Sequence, residues 1–380
     1  MTAEPAQPTA AIPSFPIDFG SIRNMIEYRF TMLDAYVDVN GLATFVCVNE
    51  PVKVKFQELL GDLANHNLMA KIRKVSDKLV ISVFPKPKLG QPRRQINLVL
   101  FLATIVTVGI ASYEVIFSLD PRLAAFMFTY MNAGNQLVAL AAGILGIIGL
   151  HELGHVVAVR HHRMDATLPY FVPGPPPIGT FGAVISLRSP PANRDQLFDL
   201  GFSGPVTGFV VMVLVAVIAI LISPAIPLQQ ATQLLAAKLL VSGSWPNEPY
   251  FLELLLQTGL RNVPADQTLV TSQVLFAAEI GSLITFLNLL PVWQLDGGHI
   301  VRATLGDRAH KATALIAFGL LFAAGYWGFA IILVVFMLLS RRPLEGLEPL
   351  DDISPLSNSR KVLFVVSLVM LALTFFILTP

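Results

Sequence analysis

Long apolar segments alternate with short polar ones from about residue 96 to the end of the chain. A helix needs about 20 mainly apolar residues to span a bilayer, so this pattern predicts several membrane-spanning helices. We predict spans at about 96–117, 136–159, 197–222, 273–292 and 362–378, with a further apolar stretch at 311–342. The predicted fold class is a polytopic α-helical membrane protein with six or seven transmembrane segments.

The stretch 311–342 allows two interpretations. It is followed by four basic residues: Arg341, Arg342, Arg360 and Lys361. A single tilted helix would place these charges outside, against the preference of Lys and Arg for the cytoplasmic side. A tight hairpin near Gly325-Tyr326-Trp327 keeps them inside, at the cost of two short arms. We favour the hairpin.

The first quarter of the chain has the pattern of a small soluble domain. Alternating residues at 35–39 and 43–48 predict two strands joined at Asn40-Gly41, because Asn-Gly favours a hairpin turn. Residues 50–66 predict a helix, and 71–84 a second hairpin. We expect an α+β domain here and find no catalytic constellation in it.

Charge before the first span predicts the orientation. The basic residues are Lys86, Lys88, Arg93 and Arg94, and they place the N-terminus in the cytoplasm. Residues 1–16 carry no Lys or Arg and no apolar run, so we expect neither a secretory signal peptide nor an organellar transit peptide. The expected location is a prokaryotic plasma membrane. The predicted organisation is a disordered tail (1–18), a cytoplasmic α+β domain (19–92), the first transmembrane helix with an external connector (93–133), an intramembrane core (134–306) and C-terminal transmembrane segments (307–380).

Composition supports the membrane assignment and excludes other classes. Of 380 residues, 54% are hydrophobic and 13% charged, whereas soluble domains are about a quarter charged. The net charge of +1 argues against a nucleic-acid partner, which would require a basic surface. Cys47 is the single cysteine, so no intrachain disulfide is possible.

A candidate metal site lies in the second predicted span. Its residues His151, Glu152 and His155 form the pattern His-Glu-x-x-His. On a helix, positions i and i+4 lie about 40° apart, so both imidazoles face the same way and suit one Zn²⁺, while Glu152 reaches a metal-bound water. Ionisable groups inside an apolar span are costly and therefore indicate function. The alternative is a helix end that carries imidazoles at the membrane interface.

The fourth predicted span ends in a second informative stretch, Asn288 to His299. Zinc needs a third protein ligand, and Asp296 is the leading candidate. Glu279 lies nearly five helical turns before Asp296, so both cannot serve one metal ion. His299 remains a candidate neighbour of the site. In the alternative interpretation, Asp296 is simply the N-cap of the helix that follows.

The loop at 168–191 is rich in Pro and Gly yet too apolar for an ordinary linker. Residues 180–187 have strand character, so we predict a membrane-associated β-hairpin loop. An open strand edge would pair with an unwound substrate through main-chain hydrogen bonds; alternatively, the hairpin plugs the site from the cytosol. Both interpretations stay open.

The third predicted span begins near Asp195, which we predict as its N-cap. Three glycines follow at positions 201, 204 and 208. Small residues at such spacing let another helix approach closely.

With both motifs placed, the chain resembles the site-2 protease family of intramembrane zinc metalloproteases over about residues 134–306. It is most similar to the archaeal and bacterial members, and their chloroplast relatives, that carry an N-terminal soluble domain. The motif pair is His-Glu-x-Gly-His in one span and Asn-x-x-Pro-x-x-x-x-Asp-Gly in a later one. The resemblance implies zinc ligands His151, His155 and Asp296, with Glu152 as the catalytic residue. Substrate binding or carbonyl stabilisation is expected from Asn288, Phe181, Gly182, Ala183 and Val184.

The expected activity is regulated intramembrane proteolysis: one Zn²⁺ per chain activates water, with Glu152 as general base, to cut a transmembrane or membrane-tethered protein. The expected partners are a membrane-spanning protein substrate, the lipid bilayer and a regulatory partner for the N-terminal domain. The active site is expected near the cytoplasmic side. Two other classes stay open, a metal-ion transporter and a catalytically silent membrane scaffold.

Overall fold

The computed structural model describes residues 15–87, 94–240, 247–258, 260, 262–339 and 346–377. Several predictions fall outside the described residues: most of the tail, Lys88, Arg93, Arg341 and Arg342. The chain divides into two compact units. Unit 1 comprises Met1–Gln91, Pro190–Leu197 and Glu348–Ser357, and unit 2 comprises Pro92–Ser189, Phe198–Leu347 and Asn358–Pro380.

Unit 1 is built on a four-stranded antiparallel sheet with two helices. Its strands are β1 (Met32–Val37), β2 (Ala43–Val48), β3 (Leu68–Val75) and β4 (Lys78–Pro85), in the order β1-β2-β4-β3. Its helices are α1 (Phe19–Glu27) and α2 (Lys53–Ala64). Both predicted hairpins and the predicted helix are present. Helix α1 was missed, although Asp18, whose carboxylate accepts from the Ser21 N–H, is an N-cap signal.

Two distant stretches of the chain complete unit 1. The Ile72 N–H at the edge of β3 donates to the Leu350 carbonyl at 3.0 Å, and the Leu350 side chain is buried in the core of the sheet. This covers one of the two sheet edges that would otherwise be open. Lys53 donates to Asp195 at 2.7 Å, and Arg194 to Asp352 at 3.0 Å.

The predicted N-cap at Asp195 is wrong. The helix begins at Arg194, and the carboxamide oxygen of Asn193 accepts from the Gln196 N–H at 3.0 Å. Asp195 instead accepts from Lys53 and from the Ser357 N–H. Asn is as good a cap as Asp, and local sequence does not show the distant cation that holds the carboxylate.

Unit 2 is mainly helical. Its helices are α3 (Arg94–Phe117), α4 (Pro121–Tyr130), α5 (Ala133–His161), α6 (Arg194–Ile222, whose first residues belong to unit 1), α7 (Leu228–Ala236), α8 (Tyr250–Gln257), α9 (Leu275–Leu289), α10 (Asp296–Leu305), α11 (Asp307–Ala323), α12 (Trp327–Leu339) and α13 (Asn358–Thr374). Among the described residues, α3, α5 and α6 are long and apolar enough to cross a membrane, and α9 is a shorter apolar helix of 15 residues.

The predicted break in the stretch 311–342 is confirmed. Helix α11 ends at Ala323 and α12 begins at Trp327. Gly325 between them has a φ of +84°, a conformation that glycine adopts without a Cβ penalty. The two helices contact each other and share one apolar cluster.

Two small β-ribbons connect helices in unit 2. The predicted β-hairpin loop consists of β5 (Tyr170–Pro173) and β6 (Thr180–Val184), and the other ribbon of β7 (Ala225–Pro227) and β8 (Gln267–Leu269). Strand β6 is shorter than the predicted 180–187. Beyond Val184 only an isolated bridge, from Leu187 to Ala166, continues the pairing.

Candidate metal centre

The His-Glu-x-x-His residues lie in the second half of α5, where His151 is 18 residues after the first residue of the helix and His155 is 6 residues before the last. His151, Glu152 and His155 are all buried, between 3% and 8% exposed. Their helix is otherwise lined with Ala, Ile, Leu, Val and Gly, so its apolar faces pack against α3 and α9. Three ionisable side chains are thus held in an apolar environment.

Asp296 joins the two histidines although it lies 141 residues after His155. Its Oδ2 atom lies 3.2 Å from Nε2 of His151 and 3.4 Å from Nε2 of His155, and the two Nε2 atoms are 3.2 Å apart. In tetrahedral zinc sites with bonds of about 2.0–2.1 Å, ligand atoms lie about 3.3 Å apart. The three donor atoms therefore form one face of a tetrahedron of the correct size.

The chemistry of these donors also fits zinc. Two imidazoles and one carboxylate are a known catalytic zinc donor set, and it leaves a fourth position free. Two neutral Nε2 lone pairs and a carboxylate oxygen repel one another at such distances unless a cation or a proton lies between them. Among the described residues, these three are the only group of at least three His, Cys, Asp or Glu residues with this convergence.

The second motif places Asp296 by breaking the helix before it. Helix α9 ends at Leu289, Trp293 has a φ of +46°, and α10 begins at Asp296 itself. A Cβ on Gly297 would lie 2.0 Å from the Leu289 carbonyl oxygen, so only glycine permits this path. Asp296 is not the N-cap; that position is Leu295. The alternative that Asp296 serves only as a cap is therefore wrong.

A backbone carbonyl orients His155. The Nδ1–H of this ring donates to the Leu200 carbonyl of α6 at 2.9 Å. The proton on Nδ1 leaves the Nε2 lone pair directed at the metal position, which is how metal-binding histidines are usually oriented. Sequence reasoning missed Leu200, because a main-chain acceptor has no signal in the residue type.

The glycines of α6 make room for the two imidazoles. A Cβ on Gly204 would lie 2.1 Å from Nε2 of His155, and one on Gly208 would lie 2.9 Å from Nδ1 of His151. A Cβ on Gly201 would meet the Asp296 carbonyl oxygen at 2.6 Å. The predicted close helix approach at these three glycines is confirmed, and it occurs at the metal centre.

The centre opens into a cavity of about 670 Å³. Glu152 and Asn288 line it together with β6, α9 and α12. The Asn288 Nδ2 atom lies 3.5 Å from Nε2 of His151. Among the described residues β6 pairs only with β5, and the Phe181 and Val184 side chains are exposed. Gly182 and Ala183 line this cavity as well, while His155 and Asp296 line a smaller pocket of about 210 Å³ that shares His151, Glu152 and Asn288 with it.

Three other ionisable residues of unit 2 lie outside the set of three converging donors. His299 lines this cavity, next to the donor set. Glu279 lines a separate cavity with Glu248, which contains none of the three donors. His162 contacts Asp199 at 2.7 Å.

Comparison with known proteins places these features in one family. Residues 139–335, a little more than half of the chain, match the model of peptidase family M50. The probable chloroplastic zinc metalloprotease EGY1 of Arabidopsis thaliana is 29% identical over 303 residues, covering 73% of this chain and 52% of that protein. EGY1 of Oryza sativa subsp. japonica is 28% identical, covering 73% of this chain and 49% of its own.

EGY2 of Oryza sativa subsp. indica, also named as a probable chloroplastic zinc metalloprotease, is 27% identical and covers 79% of this chain and 53% of its own. The chain thus spans about half the length of the curated relatives it matches. No solved structure gave a significant match.

Proposed function

The chain belongs to peptidase family M50, and we propose that it is a zinc metalloendopeptidase that cuts a membrane-spanning or membrane-tethered protein. The observation that carries this proposal is the convergence of His151, His155 and Asp296 in a cavity that Glu152 also lines. A transporter needs a binding site but has no use for a general base beside it. This combination favours hydrolysis.

In the proposed mechanism, His151, His155 and Asp296 hold Zn²⁺. When bound, the ion supplies Lewis acidity, which lowers the pKa of a coordinated water towards neutrality and polarises a carbonyl. Glu152 takes the proton from the attacking water. It then passes that proton to the leaving amine nitrogen as the peptide C–N bond breaks.

The substrate segment must be extended to reach this centre, because helical hydrogen bonds shield a peptide bond. The free edge of β6 supplies main-chain donors and acceptors to such a segment, whatever its sequence. Asn288 lies beside His151, and its amide N–H suits the carbonyl oxygen on which negative charge develops. We therefore propose β6, with Phe181, Gly182, Ala183 and Val184, as the substrate-binding strand.

The course of the chain supports seven membrane segments. Helices α3, α6 and α13 each carry an arginine in the first turn (Arg94, Arg194 and Arg360), and the preference of Arg for the cytoplasmic side favours the same starting side for all three. After α6 and α9 have crossed out and back, α11 and α12 must together return to the starting side. Two short membrane segments joined as one hairpin satisfy this condition. The total is then seven membrane segments, the upper value of the predicted six or seven.

Arg94 at the start of α3 and Arg160 near the end of α5 support a cytoplasmic location for unit 1. Since α5 ends on that side, the metal centre lies near the cytoplasmic face. A prokaryotic plasma membrane and a regulatory partner for the N-terminal domain remain part of the proposal, and the chloroplast location belongs to the names of the relatives alone.

The test is metal content together with cleavage of a single-span model substrate, on purified protein in detergent. We expect Glu152→Gln to keep about one zinc per chain and to lose activity by roughly 10²–10⁴-fold, the usual contribution of a general base. Asp296→Ala should lose both zinc and cleavage. Glu279→Gln, the same amide substitution in another cavity of these helices, is the matched control and should retain both.

Persistent cleavage by Glu152→Gln would contradict the mechanism. Zinc binding without cleavage, accompanied by metal-ion movement across vesicles, would favour the transporter. Zinc binding with neither activity would favour the silent scaffold.

A further inference from the structure

A partly buried charge cluster joins three helices of unit 2 beside the candidate metal centre. Asp199 on α6 accepts two hydrogen bonds from Arg360 on α13, from Nε at 2.7 Å and from Nη2 at 2.5 Å. It accepts a third from Nε2 of His162, at the end of α5, at 2.7 Å. All three side chains are between 13% and 22% exposed. A fork of this kind is the strongest geometry for an Arg–carboxylate pair.

This cluster is adjacent to the carbonyl that orients a candidate metal ligand. Asp199 directly precedes Leu200, whose carbonyl accepts from Nδ1–H of His155. His162 lies seven residues after His155, so the two imidazoles are on the same face of α5, about 10 Å apart along its axis. Helices α5 and α6 are therefore joined by two neighbouring contacts, of which one reaches the metal centre.

The sequence of α6 weakens the helix next to the Leu200 carbonyl. Pro205 cannot donate a helical hydrogen bond, so the carbonyl of Gly201 loses its partner four residues on. Gly201, Gly204 and Gly208 are required for the close approach of the imidazoles and of α10, and glycine is a weaker helix former than alanine. The same residues that create room for the site leave this part of α6 deformable.

We propose that Asp199, held by Arg360 and His162, is a positioning residue for the metal centre, because it fixes the Leu200 carbonyl against Nδ1–H of His155. His162 at the end of α5 and Arg360 on α13 both donate to the Asp199 side chain, and these contacts prevent α6 from rotating at Asp199. The next peptide group then keeps its direction. The orientation of His155 thus depends on a contact with α13, a helix that supplies no metal ligand.

This inference rests on the proposed function, since it assumes that His155 binds zinc. Outer partners that orient metal-binding histidines typically change metal affinity by about 10–100-fold. We expect Asp199→Asn and Arg360→Ala each to weaken zinc binding by that factor, measured by competition with a chromophoric chelator. At saturating zinc, kcat should return close to the wild-type value while KM for the substrate stays unchanged.

Three further variants separate positioning from general stability. Arg360→Lys keeps the charge without the fork, so we expect a smaller loss of zinc affinity than in Arg360→Ala. The double variant Asp199→Asn/Arg360→Ala should lose no more affinity than the stronger single variant, since both act through one contact. Arg122→Ala removes the exposed ion pair with Asp120 in the same unit and should leave zinc affinity unchanged.

The outcomes distinguish this inference from the proposed function. If wild type binds zinc and Asp296→Ala does not, but Asp199→Asn binds it as tightly as wild type, the positioning role is wrong and the proposed function stands. A lower melting temperature with unchanged zinc affinity leads to the same conclusion. If wild type binds no zinc, both are wrong.

Discussion

Two cavities among the apolar helices of unit 2 contain buried carboxylates, and they differ in what surrounds those groups. In one, Asp296 and Glu152 share the cavity with two imidazoles whose donor atoms converge. In the other, of about 240 Å³, Glu279 and Glu248 are surrounded mainly by apolar side chains. Burial of an ionisable residue is costly in both, so burial alone does not identify the reactive site. Convergence of three metal-binding donor atoms distinguishes the candidate site from the second cavity.

Among the substitutions that test this comparison, Gly204→Ala should have the largest effect on zinc affinity, because it disrupts the convergence of the three donor atoms. The added Cβ would lie 2.1 Å from Nε2 of His155, so the ring must leave the metal position. We expect zinc affinity to fall on the order of 100-fold or more, beyond the effect of outer partners, and cleavage to fall with it. Chelator competition measures the loss.

Gly146→Ala on α5 is its matched control, because nothing lies within 4 Å of a Cβ at that position. It should bind zinc as tightly as wild type. Equal affinities in both variants would contradict the close packing of α6 on the imidazoles.

An intermediate effect is expected from Asn288→Ala. Loss of an oriented donor to a developing oxyanion typically lowers kcat by about 10²–10³-fold. Zinc content should stay at the wild-type level, because Asn288 contacts His151 without belonging to the donor set. Steady-state kinetics and metal analysis on one preparation check both statements.

Gln294→Ala removes another amide that lines the same cavity. It should change kcat little. A comparable loss in this variant would mean that any polar group of the cavity wall suffices, and that Asn288 has no special role.

The smallest effect is expected in the second cavity, from Glu248→Gln. Burial raises the pKa of the Glu248 carboxyl in the folded protein. The folded state therefore favours the protonated form, and stability decreases as pH rises through the unfolded pKa towards the folded one. Glutamine stays neutral, so the variant should melt about 1–2 °C higher than wild type at pH 8.

At pH 3, well below the ordinary Glu pKa, both states hold the proton, so wild type and Glu248→Gln should melt together. Cleavage at neutral pH should match that of wild type. Reduced cleavage would show that the second cavity contributes to the reaction, and the contrast between the two cavities would not hold.

Much of the candidate site was predictable, since its parts are encoded locally. The i, i+4 spacing brings His151 and His155 to one face of any helix, and the proline of the second motif, Pro291, cannot continue a helix towards Asp296. The turn at Gly325 and the hairpins of unit 1 could likewise be predicted from short sequence patterns. The predicted strand was longer than β6, because residues 185–187 alternate like a strand but pair only through the isolated bridge from Leu187 to Ala166.

The sequence by itself determined the apolar helices, the two motifs and the glycines that permit close packing, because these depend on residues within a few turns of one another. Only the tertiary structure decided which distant carboxylate meets the imidazoles, which carbonyl orients His155, and that Asp199 is held by Arg360. It also decided that Pro190–Leu197 and Glu348–Ser357 complete unit 1. The physical reason is that hydrogen-bond geometry and hydrophobic periodicity act locally, whereas convergence of groups more than 100 residues apart depends on how whole helices pack.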